Sequence, residues 1–235
     1  MRGRELRFDR FGAGIPFWLA TWLLMTGSAA AGQFPQWFSK VQSRPLNVYR
    51  ASPVLPSDLQ RVAVLPLSCA LPHLDPDTQR SLEEALHQGL IRNGFAEVRP
   101  IRSTDLKKWT GRPTWSLDQP LPTDFFQKIR EATGADAVLF VEVTVFRAYR
   151  PVTLGWRLRL VDARSGCTWW AADEVFDTAD FRVIRAARQF EEPDRWHVFR
   201  RSGGDGWRTL QVPRELARMT VAWLATTLPA RCSFD

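Results

Sequence analysis

The sequence predicts an α/β (α+β) fold, in which helices pack on a mixed sheet of about five strands. The composition is typical of a globular chain that buries a core, with 45% hydrophobic and 24% charged residues among 235. Apolar runs of strand length alternate with segments of helical period. In the second half, three strand-like segments follow one another directly, which indicates an antiparallel meander. The expected order of elements is β-α-β-α-β-β-β-α-α.

The first half of the core contains two strand-helix units. A continuous apolar run at 61–67 suits a strand that is covered on both faces. Asp77 or Thr78 can cap the next helix, which ends at Asn93. The other elements predicted here are a short strand at about 97–101, a single turn at 103–109, a connector at 110–122 and a helix that Thr123 caps.

The meander occupies the segments 137–147, 154–162 and 167–176. In its middle segment the even-numbered positions from Leu154 to Leu160 are apolar, whereas Arg157 and Arg159 lie on the opposite side. Because successive strand side chains point to opposite faces, this pattern predicts one buried face and one polar face. A glycine-containing turn before the third segment fits a tight hairpin.

Segments of different character flank this core, which we place at 61–178. The proline-containing stretch at 32–60 has no sustained period and is expected to drape over the domain as an extended leader. The region 179–235 is expected to pack on the core as helices and a loop. It contains a helix that begins at Asp177 or Thr178, an irregular stretch at 193–212, and a helix at 213–228 opened by Pro213.

The N-terminus has the pattern of a cleavable signal peptide at 1–31. Four arginines precede an apolar run at 15–25, and small residues follow it up to Ala31, where cleavage is expected. The apolar run is about half of the ~20 residues that span a bilayer as a helix. An uncleaved anchor is the alternative interpretation. The chain is therefore predicted to be periplasmic or secreted, with no transmembrane span after cleavage.

The net charge of +7 does not indicate nucleic-acid binding. The basic residues are almost all arginines and are scattered among acidic residues, without a run of like charge. A phosphate-binding surface usually appears as a clustered basic stripe. We therefore expect no nucleic-acid partner.

The sequence contains no recognisable constellation for catalysis, metal binding or a cofactor. Its histidines lack metal-ligand spacing, and no serine lies in a nucleophile-elbow motif. There are three cysteines, Cys69, Cys167 and Cys232, so at most one internal disulfide can form, and their wide spacing lacks the C-x-x-C geometry of zinc or redox sites. A bridge between Cys69 and Cys232 is possible, and incidental buried cysteines are the alternative.

Aromatic and arginine side chains are the candidates for a contact surface, because both types are enriched at interaction hot spots. Trp169 and Trp170 are consecutive in a strand, so one of the two rings is expected to point away from the core. Packing under a helix is the alternative for that ring. The candidate contact residues are Trp37, Phe38, Arg157, Arg159, Trp169 and Trp170.

Several phrases of the sequence resemble a group of bacterial envelope proteins. These phrases are RVAVLPL at 61–67, NGFAEV at 93–98, GADAVLFVEV at 134–143 and LRLVDARSGCTWWA at 158–171. The group comprises the periplasmic domain of the curli secretion channel subunit CsgG, the penicillin-binding-protein activator LpoB and the N-terminal domain of TolB. The resemblance covers roughly 55–178 and the last helix, and it implies a docking or scaffold module. Unlike the channel subunits, the sequence has no cysteine directly after the signal peptide for acylation, and no pair of hairpins with the ~9 to 11 alternating residues per strand of a membrane barrel. The resemblance therefore implies a secreted, non-channel member.

The sequence thus favours an exported cell-envelope binding or scaffold module that acts through protein-protein contacts and not through catalysis. Its expected partner is an envelope protein, and oligomerisation is possible. Two other functions stay open at this point. One is an envelope hydrolase with an unrecognised site, and the other is a component of an outer-membrane secretion channel.

Overall fold

The structure is a computed structural model that describes residues 47–69, 71, 74–191 and 207–231. In chain order the elements are β1 (Val48–Arg50), β2 (Val54–Leu55), β3 (Arg61–Val64), β4 (Ser68–Cys69), α1 (Pro76–Asn93), β5 (Glu97–Pro100), α2 (Ser103–Thr110), α3 (Phe125–Thr133), β6 (Ala137–Arg147), β7 (Thr153–Asp162), β8 (Thr168–Asp177), α4 (Phe181–Glu191), α5 (Trp207–Gln211), α6 (Pro213–Ala225) and β9 (Ala230–Arg231).

Seven of these strands form an open mixed sheet in the order β1-β8-β7-β6-β3-β5, and β4 also pairs with β6. The strands β6, β7 and β8 are antiparallel neighbours, as the alternating pattern predicts. On the other side of β6, the strands β3 and β4 run parallel to it. The predicted α/β fold and its meander are confirmed, and the sheet has two strands more than the expected five.

The two faces of the sheet carry separate hydrophobic clusters. The larger cluster joins one face to buried side chains of α1, α4 and α6, and Leu158 and Leu160 of β7 belong to it. The smaller cluster joins Phe140 of β6 to Leu106 of α2 and Phe125 of α3. The smaller cluster reaches β7 only near its end, at Val161. Beyond it, the same face of β7, β8 and β1 carries half-buried or exposed side chains, namely Arg157, Arg159, Ala171, Asp173 and Tyr49.

Two indole side chains attach the sheet to α6 and to the turn that follows it. On β7 the Trp156 indole N–H donates to the Thr220 hydroxyl at 3.0 Å, and on β8 the Trp170 indole donates to the Thr227 hydroxyl at 3.1 Å. All four side chains are buried. Each threonine hydroxyl donates in turn to a helix carbonyl, so each buried polar group has a partner.

The predicted leader differs from the structure over its described part. β1 pairs antiparallel with β8, β2 pairs parallel with β9, and Leu55 and Leu59 are fully buried in the larger cluster. The expectation that this segment lies outside the core is therefore wrong for residues 47–60. Strands of two or three residues are too short to show a period in the sequence, and their pairing partners lie more than 100 residues away.

The helix starts also differ from the prediction by a few residues. Asp75, and neither Asp77 nor Thr78, caps α1, because its carboxylate accepts the backbone N–H groups of both at 3.1 and 2.9 Å. Hydrogen bonds from the Thr78 side chain and from the backbone amides of Thr78 and Asp77 lower the pKa of the Asp75 carboxyl. α3 begins after Asp124 instead of Thr123, and α4 begins at Phe181 because Asp177 still belongs to β8. The single turn predicted at 103–109 is the helix α2, and α5 lies within the stretch predicted to be irregular.

Candidate functional site

The open face of the sheet brings the two predicted arginines to the surface. Arg157 and Arg159 of β7 lie opposite Asp173 and Ala171 of β8, and Tyr49 of β1 is the next neighbour of Ala171. Both arginines are half-buried and Tyr49 is 57% exposed. We call the exposed side of β7, β8 and β1 the open face, and we take it as the candidate site.

A row of charged residues crosses three strands of this face. Glu142 on β6, Arg157 on β7 and Asp173 on β8 lie directly opposite one another in the strand registers. The Arg157 Nε donates to the Asp173 carboxylate at 3.0 Å, and its Nη1 lies 3.5 Å from a Glu142 carboxylate oxygen. The hydrogen bond to Asp173, with the nearby negative charges, raises the pKa of Arg157 above its ordinary value.

Glu142 is a buried carboxylate, only 3% exposed, and every other residue of β6 from 137 to 143 is apolar. A buried carboxylate is costly unless it is paired and hydrogen-bonded. Here Arg157 supplies the opposite charge, and the Ser116 hydroxyl donates to Glu142 at 2.9 Å. Sequence analysis missed this residue, although a single acidic residue in the run AVLFVEVTVFR is a visible signal.

The segment between α2 and α3, residues 111–124, is held against the open face by these charges. The Asp118 carboxylate accepts a hydrogen bond from Arg157 Nη1 at 3.0 Å, next to the contact that Ser116 makes with Glu142. Nearer the start of this segment, the Trp115 ring is buried and its indole N–H donates to the Thr110 hydroxyl at 2.8 Å. This segment therefore has a defined position beside Arg157.

Arg159 differs from Arg157 in having no partner among the described residues. Five described arginines make neither a side-chain hydrogen bond nor an ion pair within that part of the chain, namely Arg92, Arg130, Arg159, Arg185 and Arg188. Four of these are exposed on helices, and Arg159 alone is half-buried on a strand. Its guanidinium is thus a charged donor that no described protein group uses.

Two hollows of the open face meet at Arg159. The larger hollow, about 290 Å³, is lined by Tyr49, Arg157, Asp118 and Asp173, among others. The smaller hollow, about 130 Å³, lies under the 111–124 segment and is lined about equally by polar groups and by aromatic and aliphatic side chains. Arg159 and Leu117 line both. The arrangement can hold a negatively charged group beside an apolar one.

The structure corrects the interpretation of the two consecutive tryptophans. A β-bulge between β7 and β8 makes Trp169 an extra residue, so that Leu160 pairs with Trp170 and Val161 pairs with Thr168. The bulge interrupts the strand alternation, and both rings pack on the larger cluster. Trp170 is 2% exposed and belongs to the core, so it cannot serve as a surface contact. Trp169 is half-buried beside a hollow of about 370 Å³.

The remaining predicted residues are only partly within the described structure. Trp37, Phe38 and Cys232 lie outside the described residues. Cys69 is half-buried in β4 and its Sγ accepts the Leu71 backbone N–H at 3.4 Å. A bridge between Cys69 and Cys232 stays a prediction.

The described residues contain no assembled catalytic or metal centre. No group of three or more His, Cys, Asp or Glu side chains in 47–69, 74–191 and 207–231 is placed to hold a metal ion. His87 lies on α1, where burial lowers the pKa of its imidazole, and no described serine or cysteine nucleophile is hydrogen-bonded to it. Across the same residues, no helix combines the length and the apolarity that a membrane crossing needs.

Comparisons with known proteins give structural neighbours and no family. No family model matches the chain, and no curated protein is similar to it in sequence. Among solved structures, a PelC dodecamer from Paraburkholderia phytofirmans is 17% identical, with 80% of this chain and 98% of that chain covered and a TM-score of 0.46. The LpoB C-terminal domain from Escherichia coli is 15% identical, with 60% and 92% covered and a TM-score of 0.32.

TolB from Acinetobacter baumannii is 12% identical, with 56% of this chain and 26% of that chain covered and a TM-score of 0.26. Two of these structural neighbours, LpoB and TolB, belong to the group of envelope proteins that phrases of the sequence resemble. All three TM-scores are below 0.5, so the function of this chain has to be argued from its own residues.

Proposed function

We propose that the chain is an exported cell-envelope module that binds a partner protein through the open face and does not act as a catalyst. The observation that carries this proposal is the combination of a rigidly paired charge row with an unpaired, half-buried Arg159 beside it. Isolated polar groups in a protein interior are normally paired. A guanidinium left without a partner next to a fixed row of charges is therefore a natural point of contact with another molecule.

The exposed apolar side chains on the same face support a binding role. Tyr49 lies two strands from Arg159, with Ala171 between them, and Val175 follows Asp173 on the outward side of β8, where it is 46% exposed. An aromatic ring, an aliphatic side chain and an arginine together form the mixed surface that protein interfaces favour. The open face thus offers apolar contact area and one arginine that can make specific polar contacts.

The proposal is tested by capture of partners from envelope extract with matched surface variants. The mature chain is compared with a variant that carries Tyr49→Ser and Val175→Ser on the open face. The control carries Ile91→Ser and Phe181→Ser, two apolar side chains on helices that are more exposed than Tyr49 and Val175. We expect one envelope assembly to be recovered by the mature chain and the control but not by the open-face variant, as read by mass spectrometry after cross-linking.

Two results would contradict the proposal. Recovery of the same proteins by all three chains would show that the open face does not take part in binding. Recovery of nothing, combined with turnover of a peptidoglycan or ester substrate by the purified mature chain, would favour the hydrolase instead.

The proposed export has its own test. The sequence pattern at 1–31 supports cleavage after Ala31 and a periplasmic or secreted location. When the full chain is expressed with a C-terminal tag in a bacterial host, we expect its N-terminus to begin at Gly32 and the protein to fractionate with the periplasm or the medium. An intact Met1 in the membrane fraction would support the uncleaved anchor.

A further inference from the structure

Arg159 has donors that no described group accepts and a position that is partly shielded from water. A guanidinium presents five N–H donors in a fixed planar fork, which matches the two oxygens of a carboxylate. Two residues away on the same face, Arg157 is occupied by Asp118, Glu142 and Asp173. The contrast between the two arginines points to Arg159 as the free binding group of the open face.

Aromatic and aliphatic side chains form about half of the lining of the smaller hollow next to Arg159. Phe126 and Phe140 pack edge to face with ring centroids 6.3 Å apart, and Leu121 and Val161 line the same hollow. Its volume of about 130 Å³ is smaller than the roughly 300 to 1,000 Å³ typical of sites for whole small molecules. The hollow therefore suits one large apolar side chain better than a complete cofactor or metabolite.

We propose that Arg159 binds a carboxylate of a partner protein, carried by an Asp or Glu side chain close to a large apolar side chain that enters the smaller hollow. This inference rests on the proposed function and names the chemistry of its partner. In an extended segment, residues i and i+2 point to the same side about 7 Å apart. A segment with the acidic and the apolar residue two positions apart can therefore engage Arg159 and the hollow together.

The charges around Arg159 select a single carboxylate and disfavour a polyanion. Asp118 and Asp173 line the larger hollow on one side of Arg159, and Asp118 is largely exposed. A phosphate-rich polymer or a strongly acidic tract would meet these two carboxylates and be repelled. A lone carboxylate directed at Arg159 carries less charge and is repelled less, because Arg157 pairs with both aspartates and offsets part of their charge.

The test uses a blocked tripeptide, acetyl-Phe-Gly-Glu-amide, and the isotope-labelled mature chain. Binding is followed by the backbone amide signals of Phe140, Val161 and Thr168 in nuclear magnetic resonance spectra. We expect saturable shifts of these signals, and a loss of at least tenfold in affinity for Arg159→Gln. The affinity of Arg159→Lys should lie between those of the wild type and Arg159→Gln, because a lysine ammonium keeps the charge but lacks the planar fork. Arg130→Gln, which removes an exposed unpaired arginine, should bind as the wild type does.

The matched ligand is acetyl-Phe-Gly-Gln-amide, which has the same shape without the charge. Equal affinity for the two tripeptides, or an unchanged affinity of Arg159→Gln, would overturn the proposal. Inorganic phosphate is the second comparison, and displacement of the tripeptide by phosphate at equal concentration would indicate a general anion site and overturn it as well. Because Arg159 has no described partner, both Arg159 variants should unfold at the wild-type temperature.

Partner capture separates this inference from the proposed function. If Arg159→Gln still captures the envelope assembly through the open face, the carboxylate site is wrong and the proposed function stands. If the wild type binds the tripeptide through Arg159 but captures no envelope protein, the site stands and the proposed function fails.

Discussion

The hydrogen bond between Trp156 and Thr220 provides a direct measure of how β7 is attached to α6. Thr220→Val replaces the hydroxyl by a methyl group of the same shape, so the main change is the loss of the acceptor for the indole N–H. Both side chains are fully buried, and water cannot replace the lost partner. A buried donor without a partner costs about 1 to 3 kcal/mol.

We expect Thr220→Val to lower the free energy of unfolding by about 2 kcal/mol. For a domain of this size, that loss lowers the Tm by about 4 to 8 °C. The assay is urea and thermal unfolding of the mature chain followed by far-ultraviolet circular dichroism. Thr227→Val removes the equivalent acceptor of Trp170 and should have a similar effect. The two substitutions should add within about 0.5 kcal/mol, because the threonines lie two helical turns apart.

Thr226→Val is the matched control. The Thr226 hydroxyl donates to the Trp223 carbonyl at 2.7 Å, as the other two threonines donate to helix carbonyls, but no indole donates to it in the described structure. The control should therefore be clearly more stable than Thr220→Val. Equal unfolding free energies for Thr220→Val and Thr226→Val would refute the assignment of the stabilisation to the indole hydrogen bond.

Three further predictions concern the charge row, the contact between two helices and the pH dependence of stability. Arg157→Met leaves the buried Glu142 without its countercharge and should cost about 1 to 3 kcal/mol in urea unfolding. Adding Glu142→Gln should recover part of that loss, and no recovery would contradict the pairing. Gly89→Ala places a Cβ against the Val221 side chain and should lower the free energy of unfolding by about 1 to 3 kcal/mol. Val221→Ala should offset this loss, and an unchanged Tm for Gly89→Ala would exclude the close contact. Burial lowers the pKa of His87 from its ordinary value of 6.5, so the unfolded chain binds the proton first and stability falls as the pH drops below that value. His87→Gln should weaken this dependence between about pH 7 and 5 in thermal unfolding, and an identical pH profile would show that His87 does not contribute.

Local patterns in the sequence were sufficient for the meander and for the polar side of its middle strand. The alternation from Leu154 to Leu160 depends only on neighbouring residues, and the structure buries those residues while Arg157 and Arg159 face the other way. The residues of the open face on β7 could therefore be found without coordinates. The C-terminal end of α1 could also be predicted from neighbouring residues, because Gly94 has a φ of +66°, a conformation that favours glycine.

Other features depend on registers and packing between distant segments. The bulge at Trp169 changes which side of β8 its ring occupies, and no local pattern signals a bulge of this kind. The short strands β1 and β2 pair with β8 and β9, far away in the chain, so the packing of Leu59 in the core could not be read from its neighbours. Glu142 had a visible signal in the sequence, but its pairing with Arg157 depends on the register between β6 and β7.

By itself, the sequence determined the α/β class, the three-strand meander and the side of β7 on which Arg157 and Arg159 lie, because each follows from the period of adjacent residues. Only the tertiary structure decided that Glu142, Arg157 and Asp173 align across three strands and that Arg159 is left without a partner in the described chain. The physical reason is that a strand's period sets the direction of each side chain, whereas the registers between strands and the position of the 111–124 segment set its neighbours.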